Sequence, residues 1–219
     1  MENNTAFSLL ELFKLGGIFM WPLLVFSVAA LAITMDRVLY LGRHKLNIDE
    51  LAAKVLDSIQ KGNPNTAVGF LEPLAAKSMG AKVLLALVNH ASLGETRLEK
   101  AVETEAMGCI NSLESGFNFL TAIGSLAPLT GFLGTVSGMI SAFRSIAEAT
   151  EVNAQIVANG IYEALITTVF GLIIAIAAMS AYYILTSFVD RFAVRAEKAC
   201  SELITALART TQAEETHAD

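Results

Sequence analysis

The sequence predicts an all-α membrane protein. It would have three transmembrane helices, the second and third long and extending into the cytoplasm, and a small cytoplasmic helical region. Three observations lead there. Hydrophobic residues make up 54% of the 219 positions and charged residues only 16%, where an ordinary soluble domain has about 45–50% and roughly 25%. Three stretches without charge, 15–35, 115–143 and 164–189, each supply the roughly 20 apolar residues that cross a core of about 30 Å, and none is long enough for two crossings. Outside those stretches apolar residues recur at three- and four-residue spacing, the helical period. Mean hydropathy is +0.55.

The same composition removes several classes of function. The formal charge of −6 offers no global basic surface for a phosphate backbone, so no nucleic acid is expected as partner. Cys109 and Cys200 lie far apart and the three histidines are scattered, so neither a disulfide scaffold nor a metal site is expected. No cofactor motif, nucleophile–base pair or phosphate loop stands out, which argues against an enzyme. "GFLGTVSG" superficially suggests a phosphate loop, but it lies within a span and lacks the lysine.

The first span is too long for a signal-peptide core and lacks a basic flank before it, so it reads as retained. It is bulky, with Ile18, Phe19, Trp21, Leu23, Leu24, Val25, Phe26 and Leu31, and reads as a lipid-facing helix with Trp21 near the outer interface. Asp36–Arg37 closes it as an interfacial pair. Lys and Arg number one before the first span, nine in loop 36–114, one in loop 144–163 and four in tail 190–219. By the positive-inside rule the N-terminus is outside and the C-terminus cytoplasmic.

In the cytoplasmic loop, Ile48, Leu51, Ala52, Val55, Leu56 and Ile59 mark a helix from Ile48 to Lys61, capped by Asn47 and stopped by "KGNPN". Short helices follow over 66–71 and 77–90, with a break at Gly94. No proline intervenes between Glu95 and Pro128, so the second span is expected to begin as a cytoplasmic helix and run about 80 Å to Ala147. The third continues past Asp190, and the polar residues from Thr211 on are expected to fray. The loop and tail helices are expected to pack on one another, with the whole chain, 1–219, a single domain.

The second and third spans differ from the first. Gly124, Pro128, Gly131, Thr135, Gly138 and Ala142 share one stripe, with Gly134, Thr130, Ser137 and Ser141 adjoining it. On the third, Ala164, Thr168, Gly171, Ala175 and Ala178 do the same, with Thr167 beside them. Small residues allow close helix packing, which is the role read for Gly124, Gly131, Gly134, Gly138 and Gly171. For the threonines two readings stand open: a hydroxyl facing a pore can hold water or pass a proton, and one facing a neighbour caps a carbonyl. Pro128 either marks a kink or frees a carbonyl. Glu163 is either a carboxylate at the positive end of a helix dipole or an ionisable group at the mouth of a polar path, in register with Thr167.

Three segments resemble the MotA/TolQ/ExbB proton-channel family, most closely its ExbB and TolQ branches, and together they reach across almost the whole chain. They are "GGIFMWPLLVFSVAALAITMDRVLYL", "LAPLTGFLGTVSGMISAF" and "IYEALITTVFGLIIAIAAMSAYY". Family members often have Glu-Arg in place of Asp36–Arg37 and proline in place of Ala177. The resemblance implies a homo-pentamer in the bacterial inner membrane, whose second and third spans line a pore holding a dimer of ExbD- or TolR-like single-span subunits. Proton flow there drives motion passed to a TonB- or TolA-like protein. On matching positions, Thr135 and Thr168 are the polar pore residues, Glu163 the acid opening the third-span motif, and Pro128 the second-span proline. The leading expectation is a subunit that energises TonB-dependent outer-membrane transport. A TolQ-type subunit of the Tol-Pal envelope system is the alternative within the family, and a passive membrane scaffold the alternative outside it. The flagellar type usually has four spans, which argues against it.

Overall fold

The computed structural model of the chain describes residues 13, 16–44, 46–61, 63–148 and 154–218. Among them run seven helices: α1 (Met20–Arg43), α2 (Asp49–Gln60), α3 (Pro64–Ala75), α4 (Met79–Asn89), α5 (Glu95–Glu114), α6 (Phe117–Glu148) and α7 (Ala154–Ala218). Position 15, which opens the first charge-free stretch, and two of the counted cations, Lys14 and Lys45, lie outside the described residues. The chain divides into two compact units, Met1–Met35 with Gly116–Tyr183 and Asp36–Ser115 with Ile184–Asp219. Helices α1, α6 and the Gly160–Thr210 part of α7 are long and apolar enough to cross a membrane.

The first unit corrects three sequence expectations. Helix α1 begins at Met20 rather than at position 15, because Gly17 adopts φ +65° and turns the chain there. The Gly17 carbonyl accepts the Met20 amide at 3.3 Å, and Pro22 fits the first turn, where a missing N–H costs nothing. Helices α5 and α6 are separate, where one unbroken helix was expected. Gly116 at φ +86° interrupts them, and a Cβ on it would stand 3.2 Å from Ile33 Cγ2. Ser-Gly is a turn signal that the absence of proline obscured. Helix α7 starts at Ala154, ten residues before the charge-free stretch. Glu163 therefore sits beyond the first turn, where the macrodipole has faded, so the helix-end reading of this carboxylate does not hold.

Within this unit α6 and α7 pack antiparallel through their small residues. Phe117, Leu120, Ile123, Ala127, Gly131, Gly134, Gly138 and Ala142 form the buried stripe of α6. The contacts pair Gly124 with Met179, Gly131 with Gly171 and Thr168, Gly134 with Thr167, Gly138 with Ala164, and Ala142 with Gly160. Phe117 and Tyr182 extend the seam with an edge-on ring contact at 6.0 Å between centroids. Helix α6 continues through Pro128, and α7 through Ala177.

The second unit is built on a different pattern. Helix α2 has Ile48, not Asn47, at its N-cap and no side-chain cap; Asp49 and Glu50 in its first turn suit the positive end of the helix. Pro64 opens α3 at a position where no amide partner is needed. The expected helix over 66–71 is longer, running to Ala75. Ser78 caps α4 by accepting the Ala81 amide at 3.3 Å, and Gly94 sits at the N-cap of α5, as the expected break required. Helix α3 packs on α4 and α4 on α5, burying Leu71, Val83, Leu84, Leu87, Leu98 and Val102. From the α7 portion of this unit Leu185, Val189, Phe192, Ala196, Ala199 and Leu203 are buried. Each large apolar side chain buried contributes roughly 1.5–3 kcal/mol. Helix α7 runs to Ala218, through the polar segment that opens at Thr211.

Candidate functional site

The candidate site lies in the first unit, along the α6–α7 seam, and the seam begins with glycine. A Cβ on Gly171 would stand 2.6 Å from the Ala127 carbonyl oxygen and 3.2 Å from the Gly131 Cα. One on Gly131 would stand 2.9 Å from the Thr167 carbonyl oxygen and 3.0 Å from the Thr168 Cα. These neighbours are backbone and cannot step aside. The two helices therefore touch main chain to main chain, and carbonyl groups of one come within reach of hydroxyls on the other.

That reach is used. The Thr168 Oγ1 donates to the Gly131 carbonyl across the seam at 3.1 Å. The Thr167 Oγ1 lies 2.8 Å from the Ala164 carbonyl in its own helix and 3.4 Å from that same Gly131 oxygen. A hydroxyl has one proton, so the shorter contact is the bond it makes most fully. The Thr135 Oγ1 donates to the Phe132 carbonyl at 2.6 Å. Since Gly134 meets Thr167, Thr135 and Thr168 stand at one level of the antiparallel pair.

Burial separates the three threonines. Thr167 is 1% exposed, its side chain turned into the seam and its hydroxyl donated to the Ala164 carbonyl of its own helix, which is the closed, carbonyl-capping alternative. Thr135 and Thr168 are half-buried and keep one side open. Each retains oxygen lone pairs after donating its proton, so each can accept a hydrogen bond from water while passing its own proton on. Pro128, half-buried within α6, has no amide to give the Gly124 carbonyl. Met179 lies against Gly124.

Glu163 is half-buried one turn before Thr167. Its carboxylate lies against Gly17, in the turn that precedes α1. It forms no ion pair among the described residues. Gly124, Gly131, Gly134, Gly138 and Gly171 all lie at the α6–α7 contact. Gly160 belongs with them, because a Cβ there would meet Ala142 Cβ at 2.5 Å. It stands four residues before Ala164, so the third-span stripe could have been extended to it from spacing alone.

Arg37 has a larger role than a surface pair. In the second unit its guanidinium bonds Asp36 at 2.6 and 2.9 Å and donates to the Ser112 carbonyl at 3.1 Å. Its charged carbon also stands 4.9 Å over the Tyr40 ring. Ser112 is in the last turn of α5, where carbonyls have no helical donor, so Arg37 caps that helix end. A contact between positions so far apart leaves no trace in local spacing.

A sequence model of the MotA/TolQ/ExbB proton channel family matches residues 72–198. The ExbB-like 3 biopolymer transport protein of Synechocystis sp. is 32% identical over 166 residues, covering 75% of this chain and 78% of its own. The biopolymer transport protein exbB1 of Vibrio cholerae is 29% identical across 87% of this chain and 84% of that protein. The Tol-Pal system protein TolQ of Haemophilus influenzae is 45% identical over 73 residues, covering 33% of this chain and 32% of its own.

Proposed function

The chain belongs to the MotA/TolQ/ExbB proton channel family, and from that premise we propose that it is the multi-span subunit of an inner-membrane motor driven by the proton motive force. In this reading it assembles as a homo-pentamer, N-terminus periplasmic and C-terminus cytoplasmic, around a dimer of an ExbD/TolR-like single-span subunit. Protons pass along the α6–α7 face, and the resulting motion energises a TonB-like protein for outer-membrane transport.

The single observation that carries the proposal is the pair of half-buried hydroxyls, Thr135 and Thr168, at one level of a main-chain contact. A fixed charge in such a position would hold a moving partner by attraction, whereas a hydroxyl offers hydration and proton exchange without that trap. Glu163 supplies the ionisable group toward one end of the path. Thr167 supports it by packing its buried side chain against Gly134, which keeps the two helices close. Pro128 contributes a carbonyl on the same helix that lacks its helical donor. One elementary charge moved through 100 mV releases about 2.3 kcal/mol, so a few protons suffice for a conformational step.

The test is Thr135→Val and Thr168→Val, each checked for accumulation and oligomer size. Valine keeps the shape and removes the hydroxyl. Both variants are expected to assemble, with the purified complex retaining the mass of a pentamer plus partner dimer, and to lose most energisation of the outer-membrane partner. Normal energisation in both would end the hydroxyl pathway and favour the passive scaffold.

TolQ-type service in the Tol-Pal system is the second reading, favoured by the 45% identity to a TolQ over a third of the chain. The longer alignments to ExbB-named proteins support the first. Complementation separates them: restored TonB-dependent uptake in a strain lacking its ExbB-type subunit supports the first, and restored envelope integrity in a strain lacking TolQ supports the second.

A further inference from the structure

The turn before α1 is made of two glycines, and both face α7. Gly16 is buried, and a Cβ on it would stand 3.3 Å from Ile166 Cγ2 and 2.5 Å from Met20 Cγ. Gly17 is constrained twice. Its φ of +65° lies in the left-handed region that favours glycine. A Cβ there would fall on the Glu163 Oε1 atom, with the carboxyl carbon only 3.0 Å away. The same residue fixes the opening of α1, because its carbonyl accepts the Met20 amide.

The geometry points to Gly17 as the positioning residue of Glu163: the Gly16–Gly17 turn is a backbone stop that decides where this carboxyl group stands. The consequence for proton transfer rests on the reading of Glu163 as the acid of the pathway. A carboxyl group located by an ion pair must break that pair each time it takes a proton, at a cost that rises with burial. One located by steric contact with main chain can gain and lose a proton without leaving its place. Helix α1 thus enters the pathway through a turn that never touches the proton.

The experiment uses the purified complex with its single-span partner. A lipid-soluble carbodiimide is reacted with it, and the modification rate at Glu163 is read by peptide mass spectrometry. Gly17→Ala is expected to change that rate several-fold, while Ile18→Ala, an exposed neighbour, leaves it at the wild-type value. An unchanged rate in Gly17→Ala, or an equal change in Ile18→Ala, overturns the inference. Should Gly17→Ala fail to accumulate, Glu163→Asp is added, since the shorter side chain makes room for the new methyl. Rescue supports the contact; where strain at φ +65° alone keeps the alanine variant from accumulating, Glu163→Asp is labelled in the chain that keeps Gly17, and a rate equal to that of Glu163 overturns the inference.

Proton uptake by vesicles carrying the complex gives the second readout. Gly17→Ala is expected to change the rate of uptake several-fold, and to add nothing further in a Glu163→Gln background. A changed labelling rate with unchanged uptake would keep Gly17 as the positioning residue and remove Glu163 from the pathway, so the two readings fail separately.

Discussion

The two units hold their helices together in opposite ways. In the second, α3, α4 and α5 meet through leucine and valine, with Leu71, Val83, Leu84 and Leu87 fully buried. In the first, α6 and α7 meet through glycine, alanine and main-chain carbonyls, while Phe132, Phe143, Ile173 and Ile176 stay more than half exposed. The difference follows from the solvent. Water drives large apolar side chains inward, so a core surrounded by water collects them. Lipid tails give leucine no reason to leave them, so helices in a bilayer gain by close backbone approach and by hydrogen bonds between helices. At the middle of the α6–α7 seam the large side chains point outward, whereas between α3, α4 and α5 they form the contact.

Three measurements would break or sharpen that contrast, in descending order of expected effect. Leu84→Ala in the second unit is expected to lose about 2–5 kcal/mol, the sum of lost transfer energy and a cavity. Denaturant unfolding of the detergent-solubilised protein checks it, and a loss below half a kilocalorie would show this core to be loosely packed.

Cys200 provides a pH test of the same unit. Burial raises its thiol from the ordinary 9.0 to about 11. The folded chain therefore keeps a proton that the unfolded chain has released between those values. The contribution is whole below pH 9 and lost as pH rises through about 11, amounting to about 3 kcal/mol at 1.36 kcal/mol for each pH unit. Unfolding free energy against pH for wild type and Cys200→Ala is the measurement, with the variant expected to lose less stability across that window. Parallel curves would mean the thiol is hydrated.

The third separates two kinds of glycine in the first unit. Gly171→Ala sets a methyl against the Ala127 carbonyl and the Gly131 Cα, both backbone, and is expected to cost about 1–3 kcal/mol. Gly124→Ala meets only the Met179 side chain, which can rotate away, and is expected to cost well under 1 kcal/mol. Thermal loss of helicity in detergent compares the two. Equal losses would mean that main-chain contact is not what the seam requires.

Much of the fold was legible because its signals are local. Charge-free length gives the three spans, and helical spacing gives α2. The stripes on the second and third spans pointed to the right glycines, because a helix places positions three and four apart on one face. Boundaries were read less well. The start of α1, the break at Gly116 and the early start of α7 depend on where a glycine takes a positive φ or where a polar segment continues a helix. Charge counting registers neither.

The hydroxyls show the limit most clearly. Thr135, Thr167 and Thr168 all lie on or beside small-residue stripes; the family resemblance sets Thr135 and Thr168 apart, but spacing alone leaves open which hydroxyl faces a neighbour. Antiparallel packing against Gly131 and Gly134 turned Thr167 inward and left Thr135 and Thr168 partly open.

The sequence by itself determined the class: an all-α membrane chain, three spans, two of them surfaced for protein contact, in a family whose motifs it carries in order. Periodicity and hydropathy suffice for that because they act along one chain. Tertiary structure alone decided which hydroxyl remains open, that Arg37 caps α5 through Ser112, and that the Glu163 carboxylate rests against Gly17. Each depends on two segments distant in sequence coming within a few ångströms, and the energy of that meeting belongs to neither segment alone.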